Sequence, residues 1–190
     1  MRLTILDRTS NNNAQQYPVK YTKNVAPIIR WSCTDNNKTN IKSFVLIMFD
    51  PNSPVPNYIH LYIPYIDPTI TEVDLNKKLN KSKMVIGKNE YGKYGYIGPA
   101  PPTGTHCYIF TIIGLNYICS KEMMLLDARQ IIKQIYENHI HSKFKVTDMN
   151  SVAFYFNKKN IENTNAITKC NKYKFNKITD LFNHINLTKK

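Results

Sequence analysis

A chain of 190 residues with 42% hydrophobic and 12% aromatic side chains can close the core of one domain, which excludes disorder throughout. Its formal charge of +13 raises nucleic acid as a partner. That partner is set aside because arginine is confined to Arg2, Arg8, Arg30 and Arg129, while base readout leans on arginine and RNA-binding sheets on aromatic motifs missing here.

The opening MRLTILDRTS lacks the apolar core of a signal peptide. No apolar run exceeds about eight residues, short of the roughly 20 that cross a bilayer. Asn11–Gln16 is polar without periodicity, and residues 1–16 are expected to be a mobile arm on a single domain spanning 1–190. SFVLIMF, Ser43–Phe49, is a continuous apolar run and reads as a buried strand ending at Asp50-Pro51. Pro51, Pro54 and Pro56 then force a shaped loop.

In YIHLYIPYI, Tyr58–Ile66, strand alternation puts Tyr58, His60 and Tyr62 on one face and Ile59, Leu61 and Ile63 on the other. Pro64 places this strand at an edge or ends it early. Residues from Asp67 to Tyr96 read as a long, lysine-rich surface excursion. After GPAPPTG, the run THCYIFTIIGL alternates again, with His106, Tyr108 and Phe110 opposite Cys107, Ile109 and Thr111.

Lys121–His141 reads as one helix capped by Ser120, its apolar face carrying Leu125, Ala128, Ile132, Ile135, His139 and Ile140. Phe144–Val146 and Val152–Phe156 read as short strands. Ile178, Leu181, Phe182 and Ile185 mark a C-terminal helix capped by Thr179 or Asn176. The whole is a mainly β, mostly antiparallel domain with two late helices.

Cys33, Cys107, Cys119 and Cys170 show no C-x-x-C spacing, which argues against zinc and redox motifs and predicts reduced thiols and a cytoplasmic location. The glycosylation-like triplets at Asn37 and Asn186 are expected by chance in so asparagine-rich a chain. Asp50, His60 and His106 each fall where a loop meets a strand end, the usual place for a site on a rigid scaffold. Imidazoles and a tyrosine hydroxyl donate to anions; a carboxylate orients an imidazole or holds a ligand ammonium. A metal site from His60, His106 and a carboxylate lacks any known ligand spacing, so neither metal nor cofactor is expected.

SFVLIMFDPNSP, YIH and GPAPPTGTHCY, in that order, resemble the phosphatidylethanolamine-binding protein family, Raf kinase inhibitor protein among its members. The likeness extends upstream to Pro27 and Trp31 and downstream to HSKFKV and the segment with Cys170, Leu181 and Phe182, as in the eukaryotic branch. It implies a sandwich of two antiparallel sheets, a helix after the His106 strand and a C-terminal helix beside a shallow anion pocket.

The ligand-binding residues so implied are Asp50, Pro54, Tyr58, His60, Gly98, Ala100, Pro101, Pro102, His106, Tyr108 and Phe182. Four positions depart from the family pattern. Asn52 stands for a second aspartate near the mouth and Cys107 for an arginine. Tyr58 stands for tryptophan and Phe182 for tyrosine.

Asp50 is expected to hold one imidazole and raise its pKa, so that anion binding tightens as pH falls through the histidine range. The implied function is non-catalytic. The protein takes a phosphate-bearing ligand, a phospholipid headgroup or a phosphorylated residue, and regulates a protein kinase. Serine protease inhibition and an Asp–His hydrolase are the alternatives. Lys158, Lys159, Lys169, Lys172, Lys174, Lys177, Lys189 and Lys190, against Glu162 and Asp180, suggest peripheral contact with an anionic membrane.

Overall fold

The structure is a computed structural model that describes residues 1–5, 8–9, 13–23, 25–33, 39–157 and 164–187. In chain order its strands are β1 (Arg2–Ile5), β2 (Arg8–Thr9), β3 (Gln15–Gln16), β4 (Ile29–Ser32), β5 (Ser43–Asp50), β6 (Tyr58–Ile66), β7 (Glu72–Val73), β8 (Met84–Val85), β9 (Thr105–Leu115) and β10 (Val146–Asn157). The helices are α1 (Lys121–Leu125), α2 (Ala128–His141), α3 (Thr164–Asn171) and α4 (Ile178–Leu187), with a 3-10 turn at Val19–Thr22. One sheet has the order β2-β1-β4-β7 and the other β3-β10-β9-β5-β6-β8. All pairings are antiparallel except the short β3–β10 contact. The expected mainly β architecture of two sheets is the one the chain forms.

The continuous apolar run of β5 has a plain cause: both its faces are covered. Phe44, Leu46 and Met48 meet Leu3, Ile5, Ile29 and Trp31 of the small sheet. Val45, Ile47 and Phe49 meet Ile131, Ile132 and Ile135 of α2 with Leu181 and Ile185 of α4. Each such side chain, fully removed from water, contributes about 1.5–3 kcal/mol. The large sheet is therefore the middle of three layers, and its strand ends form a rigid rim.

Several expectations change. The predicted mobile arm over residues 1–16 gives way where Arg2–Ile5 pairs with β4 and buries Leu3 and Ile5 completely. Gln15–Gln16 likewise pairs with β10. Residues 11 and 12 of the predicted loop lie outside the described residues.

The helix expected over Lys121–His141 is two. Ser120 does cap the first, but Asp127 opens a second with a capping box closed by Gln130. The break turns Leu125 out to 87% exposure and leaves Ile140 exposed. The two short strands expected between Phe144 and Phe156 are one continuous β10, and Phe144 lies outside it, exposed. Its polar middle hid the continuity: Asp148 meets the Met1 ammonium at 2.6 Å, and Ser151 shares a buried hydrogen bond with Thr111.

Thr164–Asn171 is an additional helix, too polar to stand out in sequence. The C-terminal helix starts at Ile178, so its N-cap position falls to Lys177 rather than Asn176 or Thr179. Pro64 neither ends β6 nor marks an edge. It sits in a register jump between the Leu46–Ile63 and Phe44–Ile66 pairs, where no ladder N–H is needed.

Candidate functional site

Because β5 lies between β6 and β9, the ends of these three strands meet at one rim. Asp50 closes β5 and is 3% exposed, next to His106, which is 7% exposed. His106 Nδ1 and Asp50 Oδ2 are 2.7 Å apart. A carboxylate that only accepts sets the tautomer, with the proton on Nδ1. Asp50 Oδ1 accepts the Asn52 backbone N–H at 2.8 Å, bending the chain into the proline loop. The loop re-enters β6 through Asn57 at φ +51°, a left-handed bend that asparagine tolerates.

His60 is an extra residue. Met48 pairs with Leu61 and Phe49 with Ile59, which leaves His60 as a bulge. The bulge keeps His60 beside Tyr58 and Tyr108, with ring centroids at 5.1 and 5.2 Å. It also breaks the expected alternation. Tyr62 packs with Ile59 on the helix face, away from Tyr58 and His60, while Leu61 and Ile63 face the small sheet.

His60 donates Nδ1–H to the Ile97 carbonyl at 2.9 Å. Its pKa is held below the ordinary histidine value, chiefly by burial, which outweighs the upward pulls of that hydrogen bond and of Asp50. The imidazole that Asp50 holds is His106; at His60 the Asp50 charge does pull upward, but burial prevails. Tyr108 and Tyr58 are pushed the other way, Tyr108 by burial and then Asp50, Tyr58 by burial and then Tyr91. Both keep their hydroxyl protons.

These side chains enclose a recess of about 290 Å³. Asp50, Pro54, Tyr58, His60, Gly98, Ala100, Pro101, Pro102 and Tyr108 line it, as do Ser53, Val55, Tyr91 and Ile97, which sequence reasoning missed. Two expected residues do not line it. His106 stands behind Asp50 and holds it. Phe182 stacks on Tyr136 at 3.8 Å in the α2–α4 contact; the residue of α4 that reaches the loop is His184, whose Nε2 donates to Asn57 Oδ1 at 2.9 Å.

Asn52 does not face the mouth. Its Oδ1 accepts the Cys107 N–H at 2.9 Å, and its Nδ2 approaches the Tyr173 hydroxyl at 3.3 Å. Cys107 faces away from the recess, as alternation requires, and is bonded to Cys170. The expectation of wholly reduced thiols therefore fails for this pair, because the fold brings residues 63 apart in sequence to a Cα separation of 5.4 Å.

Arg129 explains why the loops keep their shape. Its Nη2 donates to the carbonyls of Pro56 at 2.9 Å and Asn57 at 3.2 Å and to Glu90 Oε2 at 2.9 Å. One guanidinium thus ties the proline loop to the loop that carries Tyr91. No group of metal-ligating side chains gathers among the described residues.

The opposite wall depends on Gly98. A Cβ there would lie 2.5 Å from the Thr22 carbonyl carbon and oxygen and 2.7 Å from the Tyr21 oxygen. Those are backbone atoms of the 3-10 turn and cannot rotate away. Gly98→Ala should therefore cost about 1–3 kcal/mol as an overpacked contact. Chemical denaturation checks this, and an unchanged midpoint counts against the close approach.

Acid should weaken the fold through the histidines. His60, His184 and His139 all have native pKa values lowered, first by burial. Below the unfolded value of about 6.5 the unfolded chain binds protons that the native one refuses, so stability falls with pH. Denaturation midpoints should drop between pH 7.5 and 5.5, with a shallower slope in His60→Asn. A His60→Asn slope equal to that of the parent would remove His60 from this account.

A profile of the phosphatidylethanolamine-binding protein family matches residues 7–168. The chain belongs to this family. The UPF0098 protein of Archaeoglobus fulgidus is 30% identical over 144 residues, 74% of this chain. That of Aquifex aeolicus is 34% identical over 114 residues, 56% of this chain. The chain spans about half the length of the first relative, 48%, and 65% of the second.

Among solved structures, the phosphatidylethanolamine-binding protein homologue CT736 of Chlamydia trachomatis superposes with a TM-score of 0.63 at 21% identity, covering 82% of this chain and 96% of that one. Escherichia coli YbcL, described as a new member of the mammalian PEBP family, gives 0.59 at 20% identity, with 82% and 98% covered. These two show that the chain has the phosphatidylethanolamine-binding protein fold. No described helix is long and apolar enough to cross a membrane.

Proposed function

We propose that this protein is a non-catalytic binding module whose recess takes a small phosphate-bearing group that also carries an ammonium, of which phosphoethanolamine is the simplest. One observation carries this reading. The recess holds the buried Asp50 carboxylate beside the hydroxyl-bearing Tyr58 and Tyr108, and no lysine or arginine lines it. Tyrosine hydroxyls donate to phosphate oxygens, and the remaining lone pairs of Asp50 accept from an ammonium. About 290 Å³ suits a headgroup and not two acyl chains, at the small end of ligand sites.

His60 adds a pH dependence. Its Nδ1–H is committed to Ile97, so it donates to an anion only when protonated at Nε2. Anion affinity should therefore keep rising below pH 6.5, and sulfate, which does not titrate there, is a clean probe. An affinity flat from pH 7 to 5 would exclude His60 as a donor.

His106 spends its Nδ1 proton on Asp50 and stands behind the ligand position, which favours a structural role for the Asp–His pair over a hydrolytic one. Through such a ligand the module would engage a phosphorylated partner, such as a regulated protein kinase, or a phospholipid headgroup at an anionic membrane. Lys169, Lys172, Lys174 and Lys177 are the candidate basic residues for that surface; Lys158, Lys159, Lys189, Lys190 and Glu162 lie outside the described residues. The cytoplasmic location loses the support it drew from reduced thiols, since a disulfide fits an oxidising setting better.

The test is an NMR titration of the labelled protein with O-phosphoethanolamine and, separately, inorganic phosphate. Shifts at Asp50, His60, Ala100 and Tyr108 that are larger and saturate earlier with O-phosphoethanolamine support the reading. Equal response to both removes the ammonium contact with Asp50, and no shift at millimolar ligand sinks the pocket.

A further inference from the structure

We infer that the Cys107–Cys170 disulfide is a redox-sensitive brace for the recess, so that its reduction loosens the Asp50 wall and weakens ligand binding. The binding half of this inference rests on the ligand reading above; the structural half stands without it.

The wall is held from behind by a short chain of contacts. Asp50 is the last residue of β5, and Asn52 is the next to be anchored, through its N–H to Asp50 Oδ1 at 2.8 Å. The Asn52 side chain is gripped on the helix side at two points, the Cys107 N–H at 2.9 Å and the Tyr173 hydroxyl at 3.3 Å. Tyr173 is placed in turn by its own N–H, which donates to the Cys170 carbonyl at 3.1 Å. Both grips on Asn52 thus trace to the two halves of one cystine.

The other contacts that dock α3 are few: Ile167 is partly buried, and Asn171 accepts the Ala14 N–H on Oδ1 at 2.7 Å and donates from Nδ2 to Asn13 Oδ1 at 3.1 Å. The helix has eight residues, too few to persist alone, and its fully buried side chains are the small Ala166 and Cys170. Beside them, Lys169 Nζ donates to the Thr105 carbonyl at 3.2 Å on the exposed side. Such a helix offers little apolar area to hold it once the covalent bond is gone. Both bonded cysteines are fully buried, so a reductant reaches them only when α3 lifts. Internal shuffling with Cys119 is suppressed, because burial pushes that thiol up to about 12 and leaves it un-ionised.

The step takes two electrons and two protons from a dithiol. One thiolate of the reductant attacks a cystine sulfur, the Cys107–Cys170 bond breaks, and a mixed disulfide forms. The second thiol of the reductant then displaces the protein sulfur, leaving Cys107 and Cys170 as thiols and the reductant as a cyclic disulfide.

The experiment compares the full chain before and after dithiothreitol, with alkylation and mass spectrometry confirming that Cys107 and Cys170 gain label. Amide hydrogen exchange is read at Asn52 and Cys107, against Ile47 and Ile112 in the sheet centre. Expected are a larger loss of protection at Asn52 and Cys107 than at Ile47 and Ile112, which follow only the global stability, and affinity for O-phosphoethanolamine lowered at least about fivefold, the low end of ordinary coupling between sites. Cys170→Ala should reproduce both effects without reductant, and Cys33→Ser should show neither.

Unchanged exchange at Asn52 and Cys107 overturns the brace. So does a loss of protection spread evenly over the sheet, or unfolding on reduction. If O-phosphoethanolamine binds neither form, the ligand reading fails and the exchange comparison alone decides the brace.

Discussion

Asp50→Ala should destabilise the protein by roughly 2–4 kcal/mol and abolish binding of O-phosphoethanolamine. The carboxylate receives two donors, the His106 Nδ1–H and the Asn52 N–H. Alanine leaves both without an acceptor, and an unsatisfied buried donor costs about 1–3 kcal/mol. His106 suffers most, since it is 7% exposed and water cannot easily replace the carboxylate. Asp50→Asn separates the two effects. Its amide oxygen can still accept the Asn52 N–H while its NH2 donates to His106 Nδ1 in the other tautomer, so stability should largely return, while the charge that holds a ligand ammonium does not. Full binding by Asp50→Asn would show that the charge plays no part; an unaltered denaturation midpoint in Asp50→Ala would mean that the His106 contact is not holding the rim.

The second large effect is on the unfolded state. The disulfide closes a loop across a separation of 63 residues. Replacing both Cys107 and Cys170 by serine should cost about 2–4 kcal/mol, through release of the unfolded chain and through two buried hydroxyls in an apolar layer. For a chain of this size each kcal/mol lowers Tm by about 2–4 °C. Cys107→Ala with Cys170→Ala should lose less, since no hydroxyl is buried. Calorimetry reads both. If the alanine pair matches the parent in Tm, the cross-link contributes nothing to stability.

What the chain disclosed before folding follows from how local each signal is. The β5 run, the Asp50–proline turn and the alternation of His106, Tyr108 and Phe110 are set by neighbours in sequence, and each was legible. The recess walls at Gly98, Ala100, Pro101 and Pro102 were legible through the family resemblance: proline and glycine announce a fixed backbone there, and the likeness implies that it lines a pocket. The faces of β6 were not, because a bulge arises from pairing with a partner strand and leaves no mark on the strand itself.

The same holds for Phe182 and His184. They lie two residues apart on an amphipathic helix, and only docking against α2 decides which one reaches the loop. Arg129 read as an unremarkable helix residue, and its three acceptors come from residues 56, 57 and 90. The disulfide joined two cysteines that alternation and helix spacing left unconnected. A capping box at Asp127 and Gln130 was readable and passed over; Asp-x-x-Gln before an apolar stripe is the signal that splits the helix.

The bulge at His60 has an evolutionary side. A one-residue deletion in a strand ordinarily sends every later side chain to the wrong face. Residue 60 is exempt, because the pairs on either side of it, Phe49–Ile59 and Met48–Leu61, are already in step without it. A descendant lacking this one codon would keep the register of its sheet and both apolar layers, and would lose the imidazole in the recess with the two hydrogen bonds that tie residue 60 to Ile97. The recess imidazole and the register of the strand are thus inherited separately, and a lineage can shed or regain the first without risking the second.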